Sequence, residues 1–84
     1  MQFKTTALEG VIECYPTKFE DERGFFFESY NQKLFEANGV PGNFVQDNHS
    51  WSKPGVVRGL HFQYDPFAQG KLVRVITGKV IDVV

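Results

Sequence analysis

Gly55-Val56-Val57-Arg58-Gly59-Leu60-His61-Phe62-Gln63 is a strand-like apolar run interrupted by one cation, one glycine and one imidazole. Branched and aromatic side chains at this density suit a pleated, half-buried surface. A purely structural strand gains nothing from a histidine beside an arginine, because both lose hydration on burial unless partners are supplied. His61 has two readings. One is a core histidine with satisfied hydrogen bonds; the other is a group that takes or gives a proton near neutral pH. The surrounding residues decide between them.

Immediately before this run, Lys53-Pro54-Gly55 fits a type II turn, with proline setting the first central φ and glycine accepting φ > 0 at the second. That predicts a hairpin of strands over 43–52 and 55–63. Downstream, a loop with Asp65-Pro66 and Gln69-Gly70 leads to a strand over 71–77, and Gly78 turns the chain into another over 79–84. Upstream, Val11–Tyr15 is a short strand closed by Pro16, 18–23 is a charged connection, and Gly24–Tyr30 is an aromatic strand. Asn31 is the expected N-cap of one short helix carrying Leu34, Phe35 and Ala37, and Asn38-Gly39 is its stop. Five or more closely spaced strands with one helix predict an all-β antiparallel sandwich or barrel.

Strict alternation places His61 and Gln63 with Val57 and Gly59 on one face of 55–63, and Arg58 on the other. For Arg58 and His61 to share a site, the strand must be irregular at Gly59, where a β-bulge would re-aim the side chains, or Arg58 must stand at a barrel rim. On neighbouring strands Gln46 and Asn48 share a face with Phe44, while Asp47 and His49 take the other. Lys71 shares its face with Val73 and Val75. Each of these polar groups, taken singly, fits a solvated edge as well as a site. Together with His61 and Arg58 they describe a polar pocket inside a small barrel. Such cations suit a phosphate-bearing anion, and a base beside a cation suits proton abstraction next to a carbonyl.

The chain has 84 residues, nine Lys and Arg against ten Asp and Glu, and a net charge of −1. No basic field points to nucleic acid or to an anionic membrane. The single Cys14 has no internal disulfide partner, which favours a reducing compartment, and no apolar run approaches the ~20 residues of a membrane span. The expectation is a cytoplasmic protein. Nine phenylalanines provide core material or stacking surfaces. The strand pattern at 79–84 stops without turn or cap, so residues 1–84 are read as the N-terminal part of a single longer domain.

Four blocks carry a resemblance. They are Asp21-Glu-Arg-Gly-Phe-Phe-Phe-Glu-Ser-Tyr30, Phe44-Val-Gln-Asp-Asn-His-Ser50, Gly55–Gln63 and Gln69-Gly-Lys-Leu-Val-Arg74. In this order and spacing they resemble the N-terminal half of the dTDP-4-dehydrorhamnose 3,5-epimerases, cupin-type jelly-roll enzymes of dTDP-rhamnose biosynthesis. The resemblance implies an isomerase that epimerises a dTDP-linked 4-keto-6-deoxyhexose at carbons 3 and 5 through an enolate. It also implies a homodimer, with no metal and no organic cofactor. His61 matches the family's general base, and Lys71 matches a group that binds substrate and stabilises the enolate. Arg58 matches a further substrate-binding residue. Arg23, Phe26 and Glu28 match one segment of the site, and Gln46, Asp47 and Asn48 match its polar strand. The family's tyrosine acid and the aspartate that pairs with the histidine fall beyond residue 84, and none of Tyr15, Tyr30 and Tyr64 inherits that role. The 84-residue piece alone is therefore expected to be inactive.

Three other readings stand beside this one. Relatives of the same fold epimerise a single carbon or shift the keto group. A metal-dependent cupin needs more ligands than His49 and His61 offer, since Gln63 stands where a second histidine belongs. A truncated sugar-nucleotide-binding module without turnover is the third, and there His49 and Trp51 have packing or surface roles.

Overall fold

Polar and apolar residues alternate over Gln2, Phe3 and Lys4 at the N-terminus, and the chain pairs accordingly. The computed structural model describes all 84 residues, which divide into two units, Met1–His49 and Ser50–Val84. In the first, strands β1 (Gln2–Thr5) and β2 (Ile12–Tyr15) form an antiparallel pair in the register Gln2 to Tyr15 and Thr5 to Ile12. Directly opposed residues share a face. One face is polar, with Lys4 opposite Glu13 and the Lys4 ammonium 4.7 Å from the centre of the Tyr15 ring. The other carries Phe3, Ile12 and Cys14. Thr6 closes the connection: its hydroxyl accepts from the Leu8 amide and lies 3.0 Å from the Leu8 carbonyl and 3.1 Å from the Val11 carbonyl, which share its single proton.

Strands β3 (Phe19–Asp21) and β4 (Gly24–Phe26) form a second antiparallel pair, joined by Glu22 and Arg23. The tight reversal requires the positive φ of 134° at Gly24. The sequence predicted a charged connection over 18–23. The structure makes half of it a strand, with Phe19 opposite Phe26, Glu20 opposite Phe25 and Asp21 opposite Gly24, so both charged residues of the strand have a partner across the ladder. The N-terminal strand β1 was also absent from the sequence reading. Its four residues have little intrinsic signal and exist as a strand through pairing with β2.

Helix α1 (Gln32–Ala37) follows the sequence expectation closely. The Asn31 side chain accepts from the Leu34 amide at 3.2 Å, as an N-cap does. At the other end Gly39 takes φ 80°, its amide donates to the Glu36 carbonyl (3.2 Å) and the Val40 amide donates to the Phe35 carbonyl (3.0 Å). This pair of bonds is a Schellman termination, and it depends on a residue that tolerates φ > 0. Six residues cannot hold a helix by propensity alone. Packing supplies the rest: Phe35 is 0% exposed, with Phe3 at 5.1 Å and Tyr30 at 4.9 Å in edge-to-face contact. Tyr30 also contacts Phe44 at 5.7 Å, and its hydroxyl donates to the Gly42 carbonyl. This aromatic cluster joins β1, α1 and the segment after α1. Asn31→Ala removes the cap bond and is expected to cost about 0.5–2 kcal/mol. Amide exchange at Leu34 read against Phe3 checks it, because loss of the cap raises the first and leaves the second nearly unchanged.

The unit Ser50–Val84 contains turns and no ladder. The turn at Lys53–Val56 is present as predicted, with the Val56 amide donating to the Lys53 carbonyl at 3.4 Å and Gly55 at φ 85°. A second turn at Tyr64–Phe67 has a 2.8 Å bond between the Phe67 amide and the Tyr64 carbonyl. The strands predicted over 43–52, 55–63, 71–77 and 79–84 do not form. The turn alone does not make a hairpin, because a strand is held by its neighbours in the ladder and not by its own propensity. The observed architecture is therefore two two-stranded antiparallel sheets and one short helix. No helix is long and apolar enough to cross a membrane.

Candidate functional site

The candidate residues divide between the two units. Arg23, Phe26, Glu28, Gln46, Asp47 and Asn48 belong to the first, and Arg58, His61 and Lys71 to the second.

Arg23 sits at the tip of the β3–β4 hairpin, and its position is set by Asp21. The Asp21 carboxylate accepts from the Arg23 backbone amide at 2.8 Å, as in an Asx turn. It also accepts from the guanidinium, at 3.1 Å from Nε and 2.5 Å from Nη2. This fork-shaped contact explains the electrostatics. The Arg23 side chain first, and its amide second, hold the Asp21 carboxyl below the usual carboxylate range, and Asp21 in turn raises the guanidinium. Arg23 and Phe26 line one surface depression of ≈ 330 Å³ together with Phe19, Asp21, Gly24 and Phe25. Phe26 is exposed there, with its ring free to meet a flat partner. Asp21 was not singled out from the sequence. The signal was available, since an aspartate two residues before an arginine, followed by glycine, is the pattern of a side chain folding back on its own turn.

A folded-state pKa below the unfolded value contributes order that is present above the unfolded pKa and is lost as pH falls through the folded one. Acidification is therefore expected to loosen the hairpin tip only at pH values below the ordinary aspartate range. A carboxyl-carbon titration by NMR checks this: Asp21 should titrate below the ordinary aspartate range, and Asp21→Asn should abolish the coupled shift at the Arg23 amide.

Glu28 lies two residues past β4. Its carboxylate accepts from Asn31 Nδ2 at 3.3 Å, and it lines a second depression of ≈ 210 Å³ with Met1, Thr17 and Phe19. Phe25 stacks on Phe27, two residues along the chain, with 5.9 Å between ring centres. Gln46 and Asn48 interact directly, with Gln46 Nε2 donating to Asn48 Oδ1 at 3.2 Å, which fits their sharing a side of the chain. Asp47 stands between them and is exposed.

In the second unit Arg58 donates to the Ser52 hydroxyl from Nη2 at 3.0 Å and from Nε at 3.3 Å. The irregularity expected at Gly59 is present as backbone, with φ 127°, but it is no bulge because there is no ladder to bulge from. His61 and Lys71 are exposed and line neither of the two depressions. The barrel expected to enclose a polar pocket is not seen. Its walls would have to be the strands that residues 50–84 do not form. No group of three or more His, Cys, Asp or Glu side chains gathers anywhere in the structure. Cys14, half-buried on β2, has its thiol raised by desolvation.

The family model for dTDP-4-dehydrorhamnose 3,5-epimerase matches residues 5–84. The chain belongs to this family. The dTDP-4-dehydrorhamnose 3,5-epimerase of Shigella flexneri is 58% identical over 79 residues, covering 93% of this chain and 44% of that protein. The Salmonella typhimurium protein of the same name is 60% identical over 79 residues, 93% of this chain and 43% of its own length. A dTDP-4-dehydrorhamnose 3-epimerase of Streptomyces niveus is 42% identical over 85 residues, 100% of this chain and 41% of that protein. The chain therefore spans less than half the length of these family members. No solved structure gives a significant match.

Proposed function

We propose that residues 1–84 are the N-terminal part of a cupin-type jelly-roll epimerase acting on a dTDP-linked 4-keto-6-deoxyhexose at carbons 3 and 5. The observation that carries this reading is the run of family-like blocks through residues 5–84, with 58% and 60% identity to two 3,5-epimerases. The chemistry asked of each residue is simple. A keto group at carbon 4 acidifies the hydrogens on carbons 3 and 5, and His61 as general base removes them. The charge that gathers on the keto oxygen is met by Lys71, a fixed cation, and Arg58 holds the substrate beside it. Arg23 offers a planar fork suited to phosphate, already oriented by Asp21, so a diphosphate would take over a guanidinium that is charged and positioned. Phe26 and Glu28, with Gln46, Asp47 and Asn48, complete the substrate-binding set. The chemistry needs acids and bases only, and we assign no metal or organic cofactor to it. A homodimeric, cytoplasmic enzyme of dTDP-rhamnose biosynthesis completes the proposal.

Incubating a chain of the relatives' full length with the keto-sugar nucleotide in deuterated water tests it. Deuterium at both carbons supports 3,5-epimerisation, and no incorporation at either refutes the assignment. The Streptomyces niveus 3-epimerase gives specific weight to a second reading, exchange at carbon 3 alone, which the same spectrum identifies. Binding of dTDP without any exchange would describe a non-catalytic sugar-nucleotide module.

A further inference from the structure

Asp21 ends β3 directly opposite Gly24, so the ladder of the β3–β4 hairpin fixes its backbone. Its carboxylate is then tied twice: Oδ1 accepts from the Arg23 amide at 2.8 Å, and Oδ2 accepts from Nε at 3.1 Å and from Nη2 at 2.5 Å. The Arg23 guanidinium is thereby held against the backbone of its own turn. Stability does not account for this arrangement. The Arg23 side chain is 86% exposed and the Asp21 side chain 46%, and ion pairs in open solvent add little to a fold. What the contact supplies is orientation, because a free arginine side chain samples many rotamers and ordering it on a ligand subtracts from affinity.

The same bonds decide which edge of the guanidinium is engaged. Asp21 takes the side edge, Nε and Nη2, and Nη1 donates to no group of the chain. The end edge, made of the Nη1 hydrogens and the outer Nη2 hydrogen, keeps the paired donors that a phosphate accepts from. We infer that Asp21 is a positioning residue of the substrate site: it holds Arg23 side-on, the end edge receives one phosphoryl group of the diphosphate, and the carboxylate stays in place when the ligand binds. The inference rests on the proposed role of Arg23 as a diphosphate ligand and adds Asp21 to it. Repulsion between this carboxylate and the phosphate is screened at so exposed a tip, which leaves the ordering of the arginine as the larger effect. The contrary arrangement, a carboxylate that the phosphate must displace, has the opposite sign, since removing the carboxylate would then tighten binding.

The test measures binding of dTDP and of thymidine to a chain of the relatives' full length by NMR titration, which reaches weak complexes. Asp21→Asn keeps an acceptor for the Arg23 amide, and with it the turn, but gives up the charged fork. It is expected to weaken dTDP binding about three- to tenfold, the range set by ordering one long side chain, and to leave binding of thymidine, which has no phosphate, unchanged. In an Arg23→Ala background the same substitution should not alter dTDP binding, because the group that Asp21 positions is gone. A merely structural role would move both ligands alike and would persist without Arg23. That pattern overturns the inference, and so does unchanged or tighter dTDP binding in Asp21→Asn. If Arg23→Ala by itself leaves dTDP affinity unaltered, Arg23 is no ligand and the inference falls with it. Failure of the unsubstituted chain to bind dTDP sinks the sugar-nucleotide reading as a whole, whereas ordinary dTDP binding indifferent to Asp21 sinks this inference alone.

Discussion

His61→Ala in a chain of the relatives' full length is expected to lower deuterium incorporation at carbons 3 and 5 by about 10²–10⁴-fold, the range lost with a general base. Both positions should fall together if one imidazole serves both, and binding of dTDP should change little, because the nucleotide is held by other residues. Equal exchange in the variant would remove His61 from the mechanism, whatever the family. Lys71→Ala provides the comparison. A residue that stabilises the enolate should depress turnover with little change in KM, and one that only holds the substrate should raise KM with turnover kept.

Phe35→Ala is expected to have the largest structural effect, about 3–5 kcal/mol, the usual range for deleting a buried aromatic side chain. Phe35 is the one large side chain fully removed from solvent, and it meets both Phe3 and Tyr30. Its loss leaves a hole that the short helix, capped at Asn31 and Gly39, cannot collapse into without breaking its caps. Small domains have total stabilities of only 5–15 kcal/mol, so a loss of this size should release α1 from β1 rather than merely loosen it. Thermal unfolding followed by near-ultraviolet circular dichroism should lose the aromatic signal of the cluster. Phe35→Leu, which keeps most of the volume, should recover much of the stability. Failure of both variants to move the transition would show that the cluster does not hold the unit together.

The parts legible from sequence were those whose cause is local. The helix was predicted with its cap and its stop because Asn31 and the Asn38-Gly39 pair act within one turn of themselves. The turn at Pro54-Gly55 is legible because proline fixes its own φ and glycine tolerates φ > 0 irrespective of surroundings. Strands were less legible. β1 escaped notice because a four-residue strand has little signal of its own, and β3 was hidden in a run of charge that becomes regular only opposite Phe25 and Phe26. The strands expected downstream of Phe44 have the right residues and no ladder, since pairing depends on contacts that propensity does not contain.

For the candidate site the division runs the same way. Residue types, order and spacing placed the chain in its family and selected His61, Lys71 and Arg58 together with the polar residues of the first unit. Spacing did not disclose that Asp21 grips the Arg23 guanidinium, nor that Arg58 turns to Ser52. Those are through-space contacts of side chains with several rotatable bonds, chosen by whichever oxygen the folded backbone leaves within reach. The amino-acid order by itself determined the caps, the turns and the chemical inventory, because each depends on neighbours along the chain. Which strands exist, which charge meets which and which apolar residues remain uncovered were decided only in three dimensions, because burial and pairing are properties of the partner as much as of the residue.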